Sequence, residues 1–198
     1  ALDSRPDDAR FDLDAIVVGP QGGVIASTLD AQQPVSLRIH GDGDWRRWKG
    51  RLTALTANRL TANVALTAVE GRYQAKGPLA LLGPLEPLTA LGSQQAQIET
   101  DVRFDNRLLS GTASLAMPAA KLTANGGVDF GRNRFDELRV SAVVARPGQL
   151  AKGVAGQSVN LRARLSGAFD AMEVGYLLTS AELRQGGLAL RNIRLEGE

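Results

Sequence analysis

The sequence predicts an all-β protein, a long antiparallel meander of about a dozen strands with one or two short helices. Three observations carry that prediction. Apolar and polar residues alternate with period two through most of the 198 residues, the pattern of strands buried on one face only. Glycine and asparagine punctuate the chain at short intervals, as turns between strands require. The connections are also too short for the crossover of a dozen or more residues that a parallel pair needs.

The strands follow in order. Phe11, Leu13, Ala15 and Val17 fall on one face, against Asp12 and Asp14. Val35, Leu37 and Ile39 then oppose Ser36, Arg38 and His40. The alternation returns at Ile98, Val102 and Phe104 against Glu99, Asp101 and Arg103, and at Leu138, Val140, Ala142 and Val144 against Arg139 and Ser141. The clearest case sets Val159, Leu161, Ala163, Leu165, Gly167 and Phe169 against Asn160, Arg162, Arg164 and Ser166. The turn signals are Asp42-Gly43, Asn106, Asn125-Gly126-Gly127, Asn133 and Gly186-Gly187, and residues 188–196 read as a last strand.

Two segments depart from this rhythm. Leucines at 79, 82, 85, 88 and 91 recur every three residues, which predicts a short helical turn over 83–91, although Pro84 and Pro87 forbid a long helix. Pro147 followed by Leu150 and Val154 at i,i+4 predicts a second short helix over 147–154. Each is a plug or cap and not a layer.

Aromatics make up only 5% of the chain, so Leu, Val, Ala and Gly fill the strand interiors and give a smooth lining. Gly50, Gly77, Gly111 and Gly167 sit inside strand-like stretches, where glycine weakens a strand but lets a sheet bend sharply. A strongly curved sheet and an ordinary sandwich with a few bulges both accommodate this composition.

Function classes can be narrowed. Lys plus Arg number 23 and Asp plus Glu 21, and the basic residues stand singly, without the clusters and interleaved aromatics that nucleic-acid binding uses. Cysteine is absent, which removes disulfides, a thiolate nucleophile and thiolate metal sites. The single histidine, His40, lacks triad partners and co-ligands and reads as a solvated residue. Asp7, Asp8, Asp12 and Asp14 form the nearest approach to an acidic cluster, but Asp12 and Asp14 share an outer strand face and suit solvation better than calcium. No phosphate loop, dinucleotide fingerprint, nucleophile elbow or zinc-protease motif occurs. The expectation is a protein that is not an enzyme and holds no cofactor or metal. No apolar run is long enough to span a bilayer as a helix, and the chain reads as a fragment of a longer protein.

The segment 41–52 stands out, because both tryptophans lie in it. On a strand Trp45 and Trp48 point to opposite faces, so at most one joins the core unless a bulge intervenes; a packing and a rim tryptophan is the favoured reading over direct contact with a ligand. This glycine-rich turn leads into Trp45-x-x-Trp48-x-Gly50-x-Leu52 and then into the strands at 59–67 and 71–77. Towards the C-terminus, Leu165-Ser166-Gly167-Ala168-Phe169 is followed by alternating leucines from 177 to 193, and 82–91 leads into a strand at 96–104. From about Val35 onward this succession resembles the AsmA-like family, which includes the translocation and assembly module subunit TamB.

The resemblance implies a single β domain over 1–198, a section of a longer periplasmic repeat protein. In that family the sheet is curled into a U-shaped trough with an apolar interior and a polar outside. The resemblance further implies an inner-membrane anchor on an N-terminal helix outside this sequence, phospholipid acyl chains as cargo and an outer-membrane barrel partner of the TamA type. It brings no catalytic residues. The expected lining of the groove is Leu37, Ile39, Val102, Phe104, Leu138, Val140, Leu161 and Leu165, with Arg38, Arg103, Arg139 and Arg162 facing water. Folding an apolar face inward also controls the aggregation hazard of a long open sheet. Two other classes fit a chain without catalytic motifs: a scaffold whose strand edges pair with outer-membrane barrel or autotransporter strands, and a structural spacer.

Overall fold

A computed structural model of the chain describes residues 2–5, 10–20, 34–44, 46–56, 59–80, 95–150 and 153–198. Among the described residues fourteen strands form one sheet. The first half comprises β1 (Leu2–Arg5), β2 (Arg10–Gly19), β3 (Val35–Asp44), β4 (Arg47–Thr56), β5 (Arg59–Val69), β6 (Arg72–Ala80) and β7 (Gln95–Asp105). The second comprises β8 (Leu108–Ala116), β9 (Ala120–Asp129), β10 (Arg134–Val144), β11 (Val154–Gly156), β12 (Val159–Ala168), β13 (Ala171–Gln185) and β14 (Leu188–Gly197). Every pairing is antiparallel, and from β1 to β10 each strand joins the next in sequence. β12 then pairs β10, and the long β13 carries both β12 and β11 on one side and β14 on the other. No described strand joins β1 to β14, so the sheet is not closed into a barrel.

Turn chemistry sets this register. Glu70-Gly71 and Asn106-Arg107 both have positive φ at the two central residues, 47° and 79° in the first and 46° and 66° in the second. Such left-handed pairs twist in the sense of the flanking strands and suit two-residue hairpins. The Asp44 carboxylate accepts the amides of Arg46 and Arg47 at 2.7 and 2.6 Å. Asp129 does the same for Gly131 and Arg132 at 2.8 and 2.9 Å.

Two of the expected turns are strand. Asp42-Gly43 lies inside β3, and Asn125-Gly126-Gly127 inside β9. At Gly126 the φ is +141°, and a Cβ there would stand 2.5 Å from the Glu137 carbonyl oxygen of the neighbouring strand. This glycine permits a close strand approach beside a bulge and does not reverse the chain. The expected helix over 147–154 is shorter: α1 spans Pro147–Leu150, and Val154 opens β11 by pairing with Gln185. The expected helical turn over 83–91 lies outside the described residues.

A sandwich of this size would bury a large interior between two sheets. Here strands take up 82% of the described residues, and the one described helix has four residues. The only buried Val, Leu, Ile, Met, Ala or aromatic residues among those described are Val35, Ala54, Val64, Ala96 and Ala119. The described strands form one curled layer.

Candidate functional site

Cα partners across a ladder share a face, so the register traces rows that run across the strands. The central row is made largely of small residues. It passes Gly41, Gly50, Leu66, Ala75, Thr100 and Ala113, then Ala124, Val140 and Ala163, reaching Tyr176 on β13. A neighbouring row holds bulkier aliphatics, with Ile39 opposite Leu52 on one side of the sheet. On the other side Leu115, Leu122, Ala142, Leu161, Leu178 and Leu195 follow one another across six strands. These rows form a continuous apolar face.

All eight expected lining residues lie on that face. Leu138 and Leu165 are direct partners, while Leu37 with Ile39 and Val102 with Phe104 are next-but-one neighbours on β3 and β7. Val140 occupies the central row and Leu161 the aliphatic one. They do not converge on a point, because eight strand-to-strand steps separate β3 from β12, about 38 Å along a sheet. Arg38, Arg103, Arg139 and Arg162 are exposed on the opposite face.

Trp48 explains the glycines of the 41–52 segment. It pairs with Gly43 across β3, and its ring lies over Gly41 and Gly50, which face each other. A methyl built on Gly50 would stand 2.6 Å from Trp48 Cζ2 and closer still to Cη2. An aromatic laid over glycine in this way restores the contact that the missing side chain forfeits. The indole Nε1 is buried without an acceptor among the described residues, so ring packing holds Trp48 in place. Tyr176 covers its partner Gly197 in the same manner. Trp45 lies outside the described residues.

Over β2 to β7 the apolar face is the concave one. A cavity of about 410 Å³ is lined by Phe11 and Leu13 of β2, Trp48 of β4, Leu66 and Ala68 of β5, Tyr73 and Ala75 of β6 and Thr100 of β7. On a flat sheet the five steps from β2 to β7 would span about 24 Å. For both strands to wall one small cavity the sheet must curl over this face. Gly77 and Gly111 allow the curl. Their φ values are +157° and +146°, and a Cβ on either would meet the backbone of the neighbouring strand, 2.9 Å from Val64 Cα and 2.7 Å from Val102 Cα.

The aromatic residues show an arrangement that alternation alone missed. Phe104 touches Phe130 with ring centroids 6.5 Å apart, and Phe135 touches Phe169 at 5.0 Å. Phe130 and Phe169 stand in the hairpin turns themselves. Counting by twos back from Leu138 would put Phe135 on the polar face. A one-residue bulge between Asp136 and Arg139, with Glu137 at φ 49°, returns it to the apolar side opposite Val128 and Gly167. The signal in the sequence was an aromatic out of phase with its strand.

The convex face carries cross-strand ion pairs. Arg38 donates from Nε and Nη2 to Asp14 at 2.9 and 2.8 Å, and this bidentate contact lowers the Asp14 pKa and raises that of Arg38. Arg72 grips Asp101 through two nitrogens while Gln74 adds a third bond at 3.0 Å; together they lower the Asp101 pKa from 3.8 to about 2. Lys76 pairs with Glu99 at 3.0 Å, and Glu137 accepts from both Arg139 and Arg164 at 2.5 and 2.6 Å. These pairs are largely exposed and stabilise little individually. They keep the outside wet. His40 is exposed on this face, and the described residues contain no cluster of potential metal ligands. No family model, curated protein or solved structure matches the chain.

Proposed function

We propose that this protein is a non-catalytic section of a bridge between two membranes, in which the concave apolar face shields phospholipid acyl chains. The observation that carries the reading is the continuous apolar face, concave and without a covering layer among the described residues. Lipid burial yields roughly 0.8 kcal/mol per methylene without directional contacts. A smooth wall of Gly, Ala, Val and Leu therefore suits sliding cargo better than fixed substrate chemistry. The sequence resemblance extends the proposal to a periplasmic location, an inner-membrane anchor elsewhere in the longer protein, and a barrel partner of the TamA type.

Opposite faces of one strand provide the test. Leu161→Asp places an ion in the groove, whereas Arg162→Asp alters the convex side. Burying an unpaired charge costs several kcal/mol, but an open groove lets water reach it, so folding survives and lipid contact does not. Crosslinking to a photoactivatable phospholipid should fall for Leu161→Asp and persist for Arg162→Asp, with both proteins melting cooperatively. Equal lipid capture by the two variants would refute the groove.

A second reading has an observation of its own. Ile16 and Val18 are 60% and 65% exposed on β2, where no described strand pairs the outer side from Ala15 to Gly19. At the other edge Leu188, Leu190 and Leu195 of β14 are likewise exposed. Such edges accept strands, and an assembly scaffold would use them. Crosslinks from Ile16 or Leu190 to an added barrel strand, undiminished by Leu161→Asp, would favour it.

A further inference from the structure

The two rims of the groove differ. The hairpin turns 44–47, 70–71, 106–107, 130–133 and 169–170 form the first rim; the second is formed by the connections that include Pro34, Met117–Ala119, Ala145–Pro147 and Gly186-Gly187. Every described aromatic lies between the first rim and the central row: Phe104, Phe130, Phe135 and Phe169 cluster at the turns, Phe11, Trp48 and Tyr73 wall the cavity, and Tyr176 sits in the central row. The buried apolar residues show the opposite bias. Val35, Ala54, Val64, Ala96 and Ala119 all lie between the central row and the second rim. Charge follows the aromatics. Described turn residues of the first rim include Arg46, Glu70, Arg107, Arg132 and Asp170, while the described connections of the second carry Arg146 alone.

We infer that a glycerophospholipid occupies the groove in one orientation, with its headgroup at the aromatic, charged rim and its acyl tails directed towards the aliphatic row and the second rim. This rests on the lipid-groove reading and adds a direction to it. Rings with an apolar body are at home where hydrocarbon meets water. Side chains of both signs at that rim complement a headgroup that carries a phosphate and an ammonium group. Arg46, Arg107 and Arg132 supply donors for the phosphate, although Arg132 also pairs with Asp129 at 3.6 Å. Successive hairpins stand about 10 Å apart, so the rim repeats this chemistry along the groove. Among the described residues, the connections of the second rim carry one charged residue, Arg146, and the charges nearest Gly186-Gly187, on Arg184 and Arg191, are already paired with Glu182; the buried Val35, Ala54, Val64 and Ala96 beside that rim offer methylene groups a dry wall.

The test uses the full chain with both native tryptophans removed (Trp45→Phe, Trp48→Phe) and one introduced as Phe104→Trp or Leu37→Trp. The probes are phosphatidylcholine spin-labelled on the choline, or near the methyl end of an acyl chain. Only variants that keep a strand spectrum and a cooperative melt are compared, and Leu79→Trp, in the row that runs from Leu37 through Ala54 and Ala62 to Leu79, replaces Leu37→Trp if that protein does not fold. The headgroup label should quench Phe104→Trp more strongly than Leu37→Trp, and the tail label should reverse the order. Equal quenching at both positions, or the opposite order, overturns the orientation while leaving lipid binding intact. No quenching by either probe overturns the groove reading together with it.

Discussion

Gly111→Ala tests the physical origin of the curl. Gly111 lies on the apolar face of β8 between Val102 and Gly126, at a φ of +146°. An added Cβ would stand 2.7 Å from Val102 Cα and closer still to the Asp101 carbonyl oxygen. Both are backbone atoms that no rotamer change can move aside, so either β7 and β8 separate or the φ changes. Holding a side chain in that backbone region costs about 1–3 kcal/mol, and overpacking costs about as much again. Because relieving one strain partly relieves the other, we expect about 3 kcal/mol. For a chain of this size that corresponds to a fall in melting temperature of roughly 6–12 °C. Gly175→Ala is the control, since Gly175 has nothing within 4 Å of the added methyl. It should change stability by less than about 0.5 kcal/mol, and in the stabilising direction if the unfolded chain loses freedom. Melting both variants by circular dichroism decides the matter. If Gly111→Ala behaves like Gly175→Ala, the glycine is not what brings the strands so close.

Two further outcomes are expected. In a double-mutant cycle, Gly50→Ala should be clearly destabilising when Trp48 is present and much less so beside Trp48→Ala, with a coupling of about 1–2 kcal/mol; chemical denaturation would show no coupling if the ring did not lie over the glycine. The folded-state pKa of Asp101 is depressed from 3.8 to about 2, so its contribution is complete above about pH 4 and is lost as pH falls through about 2. Asp101→Asn should therefore be less stable than the parent at neutral pH, and the gap should close between about pH 4 and pH 2. A gap that stayed constant over that range would contradict the ion pair with Arg72.

The strands were legible because one face is dry and the other wet, and each one-residue step changes the face. Arg162 and Leu161 could be assigned to opposite sides without any tertiary information, and the register bears that out. What alternation could not supply was the difference between a glycine that turns the chain and a glycine that admits a neighbour. Asp42-Gly43 and Asn125-Gly126-Gly127 have turn composition, yet the first sits opposite Trp48 and the second beside the Glu137 bulge. Both roles depend on residues in other strands. Phe135 was lost for the same reason, since a bulge changes parity and only the partner strands reveal it. Val154 has the helical spacing from Leu150, but pairing with Gln185 takes precedence over it. The lining residues could be named as a face, whereas the gathering of the aromatics at one rim emerges only when the rows are aligned across strands.

Native mass spectrometry of the intact chain tests the central claim most directly. The protein should retain phospholipid after purification, and after delipidation it should rebind phosphatidylcholine or phosphatidylethanolamine. Leu161→Asp should lose that mass increment while Arg162→Asp keeps it. A folded, delipidated protein that takes up neither phospholipid would contradict the account.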